Sequence, residues 1–204
     1  MSEASAPVRY FDRDFQVDAV KILPGQYHSS SGPGTITTVL GSCVSTCLWD
    51  PIARIGGMNH FMLPGDTAAP SATWTASARF GVYAMEVLIN QMIRLGADRR
   101  RLVAKVFGGA RVLAGFDKLD VGAKNAEFVL EFLKVEGIPI AAQDLLDVCP
   151  RKVHFFPATG KVQLKRLHVT PNDTVLQRRE REYLSELAGK TSGGGDIEIF
   201  APPR

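Results

Sequence analysis

The sequence predicts an α/β fold, a single domain in which helices flank a mixed, largely antiparallel sheet. Short apolar runs bounded by Gly, Pro and Asp predict the strands, and longer segments with apolar residues at helical spacing predict the helices. The 204 residues, 45% of them hydrophobic and 22% charged, suit one globular domain with a substantial core. We expect residues 1–18 to be loosely ordered, residues 19–188 to form the domain and residues 189–204 to be a flexible tail.

Strands dominate the first part of this prediction. Residues 21–27 are predicted as a first strand, and the Ser- and Gly-rich residues 29–34 as a loop. Residues 44–49 and 55–63 are predicted as two further strands. They are joined at the turn-forming pair Asp50-Pro51, so we expect them to lie as antiparallel neighbours.

Helices and strands then alternate. Helical spacing of apolar residues predicts a long helix between residues 71 and 96 that ends at Gly96, and a second helix from Asn125 to Gly137. Strands are predicted at residues 102–107, 138–148, 152–156 and 161–169, with a hairpin turn at 157–160. A charged C-terminal helix is predicted at residues 174–187, and its Arg-Arg-Glu-Arg-Glu run at 178–182 is expected to face solvent.

Composition argues against several classes of function. A formal net charge of +3, without a long basic block, does not favour a nucleic-acid or membrane-surface partner. Residues 1–14 lack the pattern of a secretory leader, and no run approaches the ~18 apolar residues of a membrane-spanning helix. Three irregularly spaced cysteines do not predict a disulfide framework. We therefore expect a cytoplasmic protein without membrane insertion.

A thiol and an imidazole lie close together in the apolar stretch of residues 35–64, at Cys43 and His60. A cysteine thiolate can attack a carbonyl carbon, and a nearby histidine can take the thiol proton and deliver it to a leaving group. Cys43 follows Gly41-Ser42 at the end of an apolar run, which suits a nucleophile flanked by free backbone N–H groups. The predicted pair of antiparallel strands could return His60 to Cys43.

Other interpretations of the cysteines are weaker. A zinc site built from Cys43, Cys47, His60 and Cys149 would lack a second matching Cys pair, so we expect no metal and no cofactor. Cys47 and Cys149 are interpreted as core residues.

Several ordered blocks resemble the CheD family, the chemoreceptor glutamine deamidases of bacterial and archaeal chemotaxis. The resemblance covers roughly residues 21–169 and is carried by TTVLGSCV at 37–44, GGMNHFMLP at 56–64, RFGVYAME at 79–86, KVFGGA at 105–110 and RKVHFFPATGKV at 151–162. It implies a layered α/β sandwich. One block departs from the family pattern: Asp-Leu-Leu-Asp stands at 144–147, where an aspartate followed by paired glycines is expected.

The resemblance implies a Cys-His-Thr triad. It places the nucleophile at Cys43, the histidine at His60 and the threonine that orients the histidine at Thr37. Chemistry alone leaves the adjacent Thr38 open for the same role, because either hydroxyl could fix an imidazole tautomer.

The activity implied is hydrolysis of glutamine side-chain amides on methyl-accepting chemotaxis receptors, which yields glutamate and ammonia through a thioester. Two alternatives remain open at this point. A transglutaminase or peptidase would share the thioester but differ in its acceptor or substrate. A non-catalytic adaptor would bind receptors or the CheC phosphatase, which the resemblance makes a second possible partner.

Overall fold

Among the described residues, two five-stranded sheets and three α-helices make up the fold. The computed structural model describes residues 6–64, 76–112, 121–167 and 174–192. The strands are β1 Val8–Asp12, β2 Val17–Lys21, β3 Tyr27–Ser30, β4 Thr35–Leu40, β5 Val44–Asp50, β6 Ile55–Asn59, β7 Val103–Gly108, β8 Ile140–Leu145, β9 Arg151–Phe156 and β10 Lys161–Arg166. The helices are α1 Ala76–Arg94, α2 Val121–Val135 and α3 Thr174–Ser192. None of these three described helices has the length and hydropathy that crossing a membrane would require.

Each sheet is mixed and largely antiparallel, as the sequence predicts. The first sheet has the order β1-β2-β4-β9-β10, and only β2 and β4 in it run parallel. The second sheet has the order β3-β6-β5-β7-β8, and only β7 and β8 in it run parallel. The predicted α/β class is thus confirmed, with the strands divided between two sheets.

Two hydrophobic layers give the molecule its sandwich. The first lies between the sheets and joins Ile36, Leu40 and Phe155 of the first sheet to Cys47 and Met58 of the second. The second lies between the other face of the second sheet and the helices α1 and α2; it includes Val44, Leu48, Phe61, Leu88 and Val129. Strand residues alternate between these layers because successive side chains of a strand point to opposite faces.

The N-terminal strands differ from the prediction. Residues 21–27 were predicted as one strand, but β2 ends at Lys21 and β3 begins at Tyr27, so most of this segment is a connection. The Pro-Gly pair lies in that connection, and Gly25 has a φ of 81°. The predicted loop at 29–34 is also shorter, because Ser29 and Ser30 belong to β3. Strand β1 lies within residues 1–18 and pairs with β2 at five positions.

The turn between β5 and β6 is confirmed and is held by a buried carboxylate. Asp50 accepts hydrogen bonds from the backbone N–H groups of Ile52 and Ala53 at 2.9 and 3.0 Å. The Arg101 guanidinium lies 2.8 Å from the same carboxylate. Burial alone would raise the pKa of Asp50, but these hydrogen bonds outweigh it and hold the pKa well below its usual value.

The segment that departs from the family pattern has unusual backbone geometry. Leu146 and Asp147 have φ angles of 65° and 74°, in the left-handed region that glycine adopts most readily. The buried Arg151 holds this segment, with hydrogen bonds to the Asp144 carboxylate and the Leu146 carbonyl. The segment thus requires a left-handed conformation, which two residues other than glycine adopt here.

The later elements follow the prediction closely. Gly96 and Gly137 follow α1 and α2 with φ angles of 109° and 66°, as expected of residues that end helices. The turn at 157–160 joins β9 to β10. Helix α2 begins at Val121, so Asn125 lies inside the helix and does not start it. Residues 189–192 of the predicted tail belong to α3. Residues 193–204 lie outside the described part of the chain.

Candidate active site

Cys43 lies where the chain crosses from one sheet to the other. Strand β4 of the first sheet ends at Leu40, and β5 of the second sheet begins at Val44. The crossing is tight at Gly41, where an added Cβ would lie 2.6 Å from a methyl carbon of Val112. A side chain at this position would therefore displace its neighbours. The thiol of Cys43 is fully buried in the layer between the sheets.

His60 reaches the same face as Cys43 through the pairing of β6 with β5. Val44 and Phe61 exchange two backbone hydrogen bonds of 2.9 Å, which places Cys43 opposite Met62 and His60 opposite Ser45. Cys43 and His60 are then diagonal neighbours on one face, a relation that separates residues by roughly 7–8 Å between backbones and lets their side chains meet. Cys43, His60 and Thr38 are in contact. The expected return of the imidazole to the thiol is thus observed.

Thr38, and not Thr37, contacts the imidazole. The Thr38 hydroxyl lies 2.7 Å from Nδ1 of His60, whereas the Thr37 hydroxyl lies 3.2 Å from the hydroxyl of Tyr10. The two threonines are consecutive in β4, so their side chains point to opposite faces. Thr38 shares the inner face with Ile36, and Thr37 points to the outer face of the first sheet, where its hydroxyl contacts Tyr10.

The hydroxyl of Thr38 fixes the tautomer of His60. It donates its one proton to the carbonyl of Ile22 at 2.9 Å, so its oxygen accepts from Nδ1–H of the imidazole. Nε2 is then the unprotonated nitrogen, and it is buried without a hydrogen-bond partner among the described residues. Burial lowers the pKa of His60 to about 3, which keeps the ring neutral at neutral pH. A neutral imidazole with a free Nε2 is able to accept a proton.

A carboxylate from α3 covers the thiol. Glu180 accepts hydrogen bonds from the backbone N–H groups of Gly41 at 2.9 Å, Ser42 at 3.0 Å and Cys43 at 3.4 Å, and from the Ser42 hydroxyl at 2.7 Å. The N–H groups of Gly41 and Cys43 meet at one oxygen of this carboxylate, and two N–H groups that meet at an oxygen beside a thiol form the kind of cradle that stabilises an oxyanion. Residues 178–182 were predicted to face solvent, and this is wrong for Glu180, which is 1% exposed.

The thiol itself is protonated in this arrangement. Burial raises the pKa of Cys43 well above its usual value, and the negative charge and hydrogen bond of Glu180 raise it further. A thiol of this kind needs a base in order to react, and His60 is the neutral base beside it.

Asn125 is a site residue that the sequence did not reveal. Its side-chain amide donates to the carbonyl of Ser42 at 2.8 Å and accepts from the backbone N–H of Leu63 at 2.8 Å. It therefore ties the segment before Cys43 to the segment after His60, from a fully buried position on α2. A polar residue on the apolar face of a helix was the available signal, but it was interpreted as a helix start.

The remaining cysteines do not join the site. Cys47 is buried in the layer between the sheets, as expected, whereas Cys149 is half-buried. Within the described ranges, no group of three or more His, Cys, Asp or Glu side chains has a geometry that could hold a metal ion.

Comparisons with known proteins give a family and several full-length relatives. The family model described as CheD chemotactic sensory transduction matches residues 62–166. The "Probable chemoreceptor glutamine deamidase CheD 1" of Dechloromonas aromatica is 54% identical over 97% of this chain and 96% of its own length. A protein of the same name from Shewanella oneidensis is 52% identical over 95% and 93%. The "Probable chemoreceptor glutamine deamidase CheD" of Herminiimonas arsenicoxydans is 52% identical over 94% of both chains.

Proposed function

The chain belongs to the CheD family, and we propose that it is a chemoreceptor glutamine deamidase. Its substrates are glutamine side chains of methyl-accepting chemotaxis receptors, and its products are glutamate and ammonia. The observation that carries this proposal is the hydrogen-bonded chain from the Ile22 carbonyl through Thr38 to His60, which leaves Nε2 unprotonated on an imidazole in contact with a buried cysteine.

The reaction begins with proton transfer from Cys43 to Nε2 of His60. The thiolate attacks the carboxamide carbon of the glutamine and forms a C–S bond, while the carboxamide oxygen takes up negative charge. The N–H groups of Gly41 and Cys43 are placed to donate to that oxygen. The C–N bond then breaks, and ammonia leaves with the proton that His60 delivers.

Water completes the reaction. His60 takes a proton from a water molecule, which attacks the thioester carbon, and the C–S bond breaks to release the glutamate carboxylate and regenerate the thiol. The net change is one amide and one water converted into one carboxylate and one ammonium ion. The side chain gains one negative charge, which alters repulsion between neighbouring receptor helices.

Thr38 and Asn125 are positioning residues in this proposal. Thr38 holds the imidazole in the tautomer that accepts the thiol proton, a role that an aspartate fills in serine proteases. Asn125 holds the carbonyl of Ser42 and so fixes the direction of the N–H groups in the cradle. We thus assign the threonine of the triad to Thr38 in place of Thr37.

The experiment that tests the proposal uses purified chain and the cytoplasmic fragment of a chemoreceptor from the same cell. Peptide mass spectrometry should show a gain of about one mass unit at particular glutamines. The gain should be absent with Cys43→Ala and with His60→Ala. If the wild-type chain binds the fragment but changes no glutamine, the deamidase proposal is wrong and a non-catalytic adaptor is the better account.

Two predictions from the resemblance belong to the same proposal. The part of the receptor that carries the proposed substrate glutamines is cytoplasmic. We therefore place the chain in the cytoplasm, where its thiols stay reduced. The CheC phosphatase is the second predicted partner. Binding between purified CheC of the same cell and the Cys43→Ala variant would test that partnership independently of catalysis.

A further inference from the structure

Glu180 is a buried acid on a helix that is otherwise mostly charged and exposed. Its side chain is 1% exposed, whereas Arg178, Arg179 and Glu182 on the same helix are exposed. Burying a carboxylate is costly unless hydrogen bonds replace the lost water. Here those hydrogen bonds come from the cradle beside Cys43, so α3 presents its acid directly to the reactive site.

The contacts of Glu180 are those expected of a bound product. One carboxylate oxygen accepts from the backbone N–H groups of Gly41 and Cys43, and the other accepts from the backbone N–H and the hydroxyl of Ser42. A glutamate side chain is also what glutamine deamidation would leave at this position. The chain thus carries its own copy of the product side chain in the site.

We propose that α3 occupies the active site as an intramolecular product mimic, with Glu180 in the place of the reacting side chain, and that a substrate helix must displace α3. This inference rests on the deamidase function proposed above. What it adds is a regulatory step: the docked form excludes substrate, and a glutamine on a receptor helix has to take the place of Glu180.

A narrow stripe of side chains holds α3 in place. Tyr183, Leu184 and Leu187 follow Glu180 at helical spacing and lie on the same face. Leu187 is 2% exposed and packs in the layer that contains Cys43, while Leu184 is half-buried against Ala110 and Val112. A competing helix would have to replace these contacts.

Docking of α3 also keeps the nucleophile inactive. The thiol is buried, and Glu180 adds a negative charge next to it. Burial and this charge both raise the pKa of Cys43 and so favour its protonated form. Release of α3 would remove the charge and admit solvent or substrate. The same movement would thus open the site and make the thiol easier to ionise.

The first test converts the product mimic into a substrate. In a Glu180→Gln variant, residue 180 carries a carboxamide whose oxygen can still accept from Gly41 and Cys43. We expect this residue to be deamidated to glutamate, with a gain of about one mass unit. The gain should occur at a rate independent of protein concentration and only when Cys43 is intact. Glu182→Gln is the matched control, because it makes the same change on the exposed face of α3, where Glu182 pairs with Arg178.

The outcomes separate the two proposals when each variant is also assayed on a receptor fragment. Conversion of residue 180 but not of the glutamine placed at position 182 supports the product mimic. If receptor glutamines are deamidated while residue 180 is unchanged, the deamidase stands and the product mimic is wrong. If neither is deamidated by any variant, the proposed function itself fails, and this inference fails with it.

A second measurement does not require a carboxamide to bind in the cradle. Leu187→Ala removes a buried anchor of α3 and leaves Glu180 and Cys43 unchanged. We expect iodoacetamide to alkylate Cys43 at least about fivefold faster in this variant, because α3 opens more often. Leu133→Ala truncates an equally buried leucine on α2 and serves as the control. Equal acceleration in the two variants would indicate general unfolding and would overturn the proposal.

Discussion

Replacing Thr38 by valine tests the orientation of the imidazole with almost no change in side-chain shape. Thr38→Val removes the hydrogen bond of 2.7 Å to His60 and that of 2.9 Å to the Ile22 carbonyl. A buried polar group left without a partner costs about 1–3 kcal/mol. If that cost falls on the reactive tautomer of His60, kcat/KM should drop about 5- to 150-fold.

Thr37→Val is the matched control, because it removes only the contact of 3.2 Å with Tyr10 on the other face of β4. The assay is ammonia release from a receptor fragment over a range of pH. With Thr38→Val we expect a lower kcat and a shifted pH profile, and with Thr37→Val a change of less than about twofold. A full loss of activity in Thr37→Val, with Thr38→Val active, would refute the assignment and restore Thr37 as the orienting residue.

Three further predictions concern stability. Burial lowers the pKa of His60 to about 3, so the unfolded chain takes up a proton on this residue at a higher pH than the native state does. As the pH falls from 6.5 to about 3, the wild type should therefore lose up to ~5 kcal/mol of stability relative to His60→Gln. Urea unfolding of both proteins over this pH range measures the difference. Asp50→Asn should lower the free energy of unfolding by about 2 kcal/mol, since Arg101 and two turn N–H groups lose a charged acceptor; an unchanged urea midpoint would contradict this. Leu146→Gly should raise the midpoint of thermal unfolding, because glycine relieves the strain of the left-handed backbone, with a gain of roughly 0.5–1 kcal/mol. Val148 has a negative φ, so Val148→Gly is the control and should lower the midpoint.

Much of the site could be predicted because its signals are local. The thiol, the imidazole and the turn between their strands all lie within residues 35–64, and the pairing of β5 with β6 follows from that turn. The sequence pattern also distinguishes Thr37 from Thr38. Ile36 and Leu40 alternate with Thr38, so a strand with an apolar inner face places Thr38 toward the core.

Other features depend on contacts between distant segments. Glu180 is separated from Cys43 by 137 positions, and its neighbours in sequence are all consistent with an exposed face. Periodicity can assign α3 as a helix, but it carries no information about a partner in another part of the chain. The division into two sheets could not be predicted for the same reason. It depends on pairings between strands that are distant in sequence, above all the antiparallel pairing of β4 with β9, together with the parallel pairing of β2 with β4.

The central claim is that Cys43 forms a thioester with the glutamine side chain. The most direct measurement is to mix wild-type chain with an excess of a receptor-derived helical peptide, quench with acid within the first turnover, and map the adduct by mass spectrometry. We expect the peptide, less one ammonia, attached to Cys43 in wild type and absent in Cys43→Ala. Accumulation of deamidated peptide by Cys43→Ala, with no adduct on Cys43 in wild type, would contradict the account.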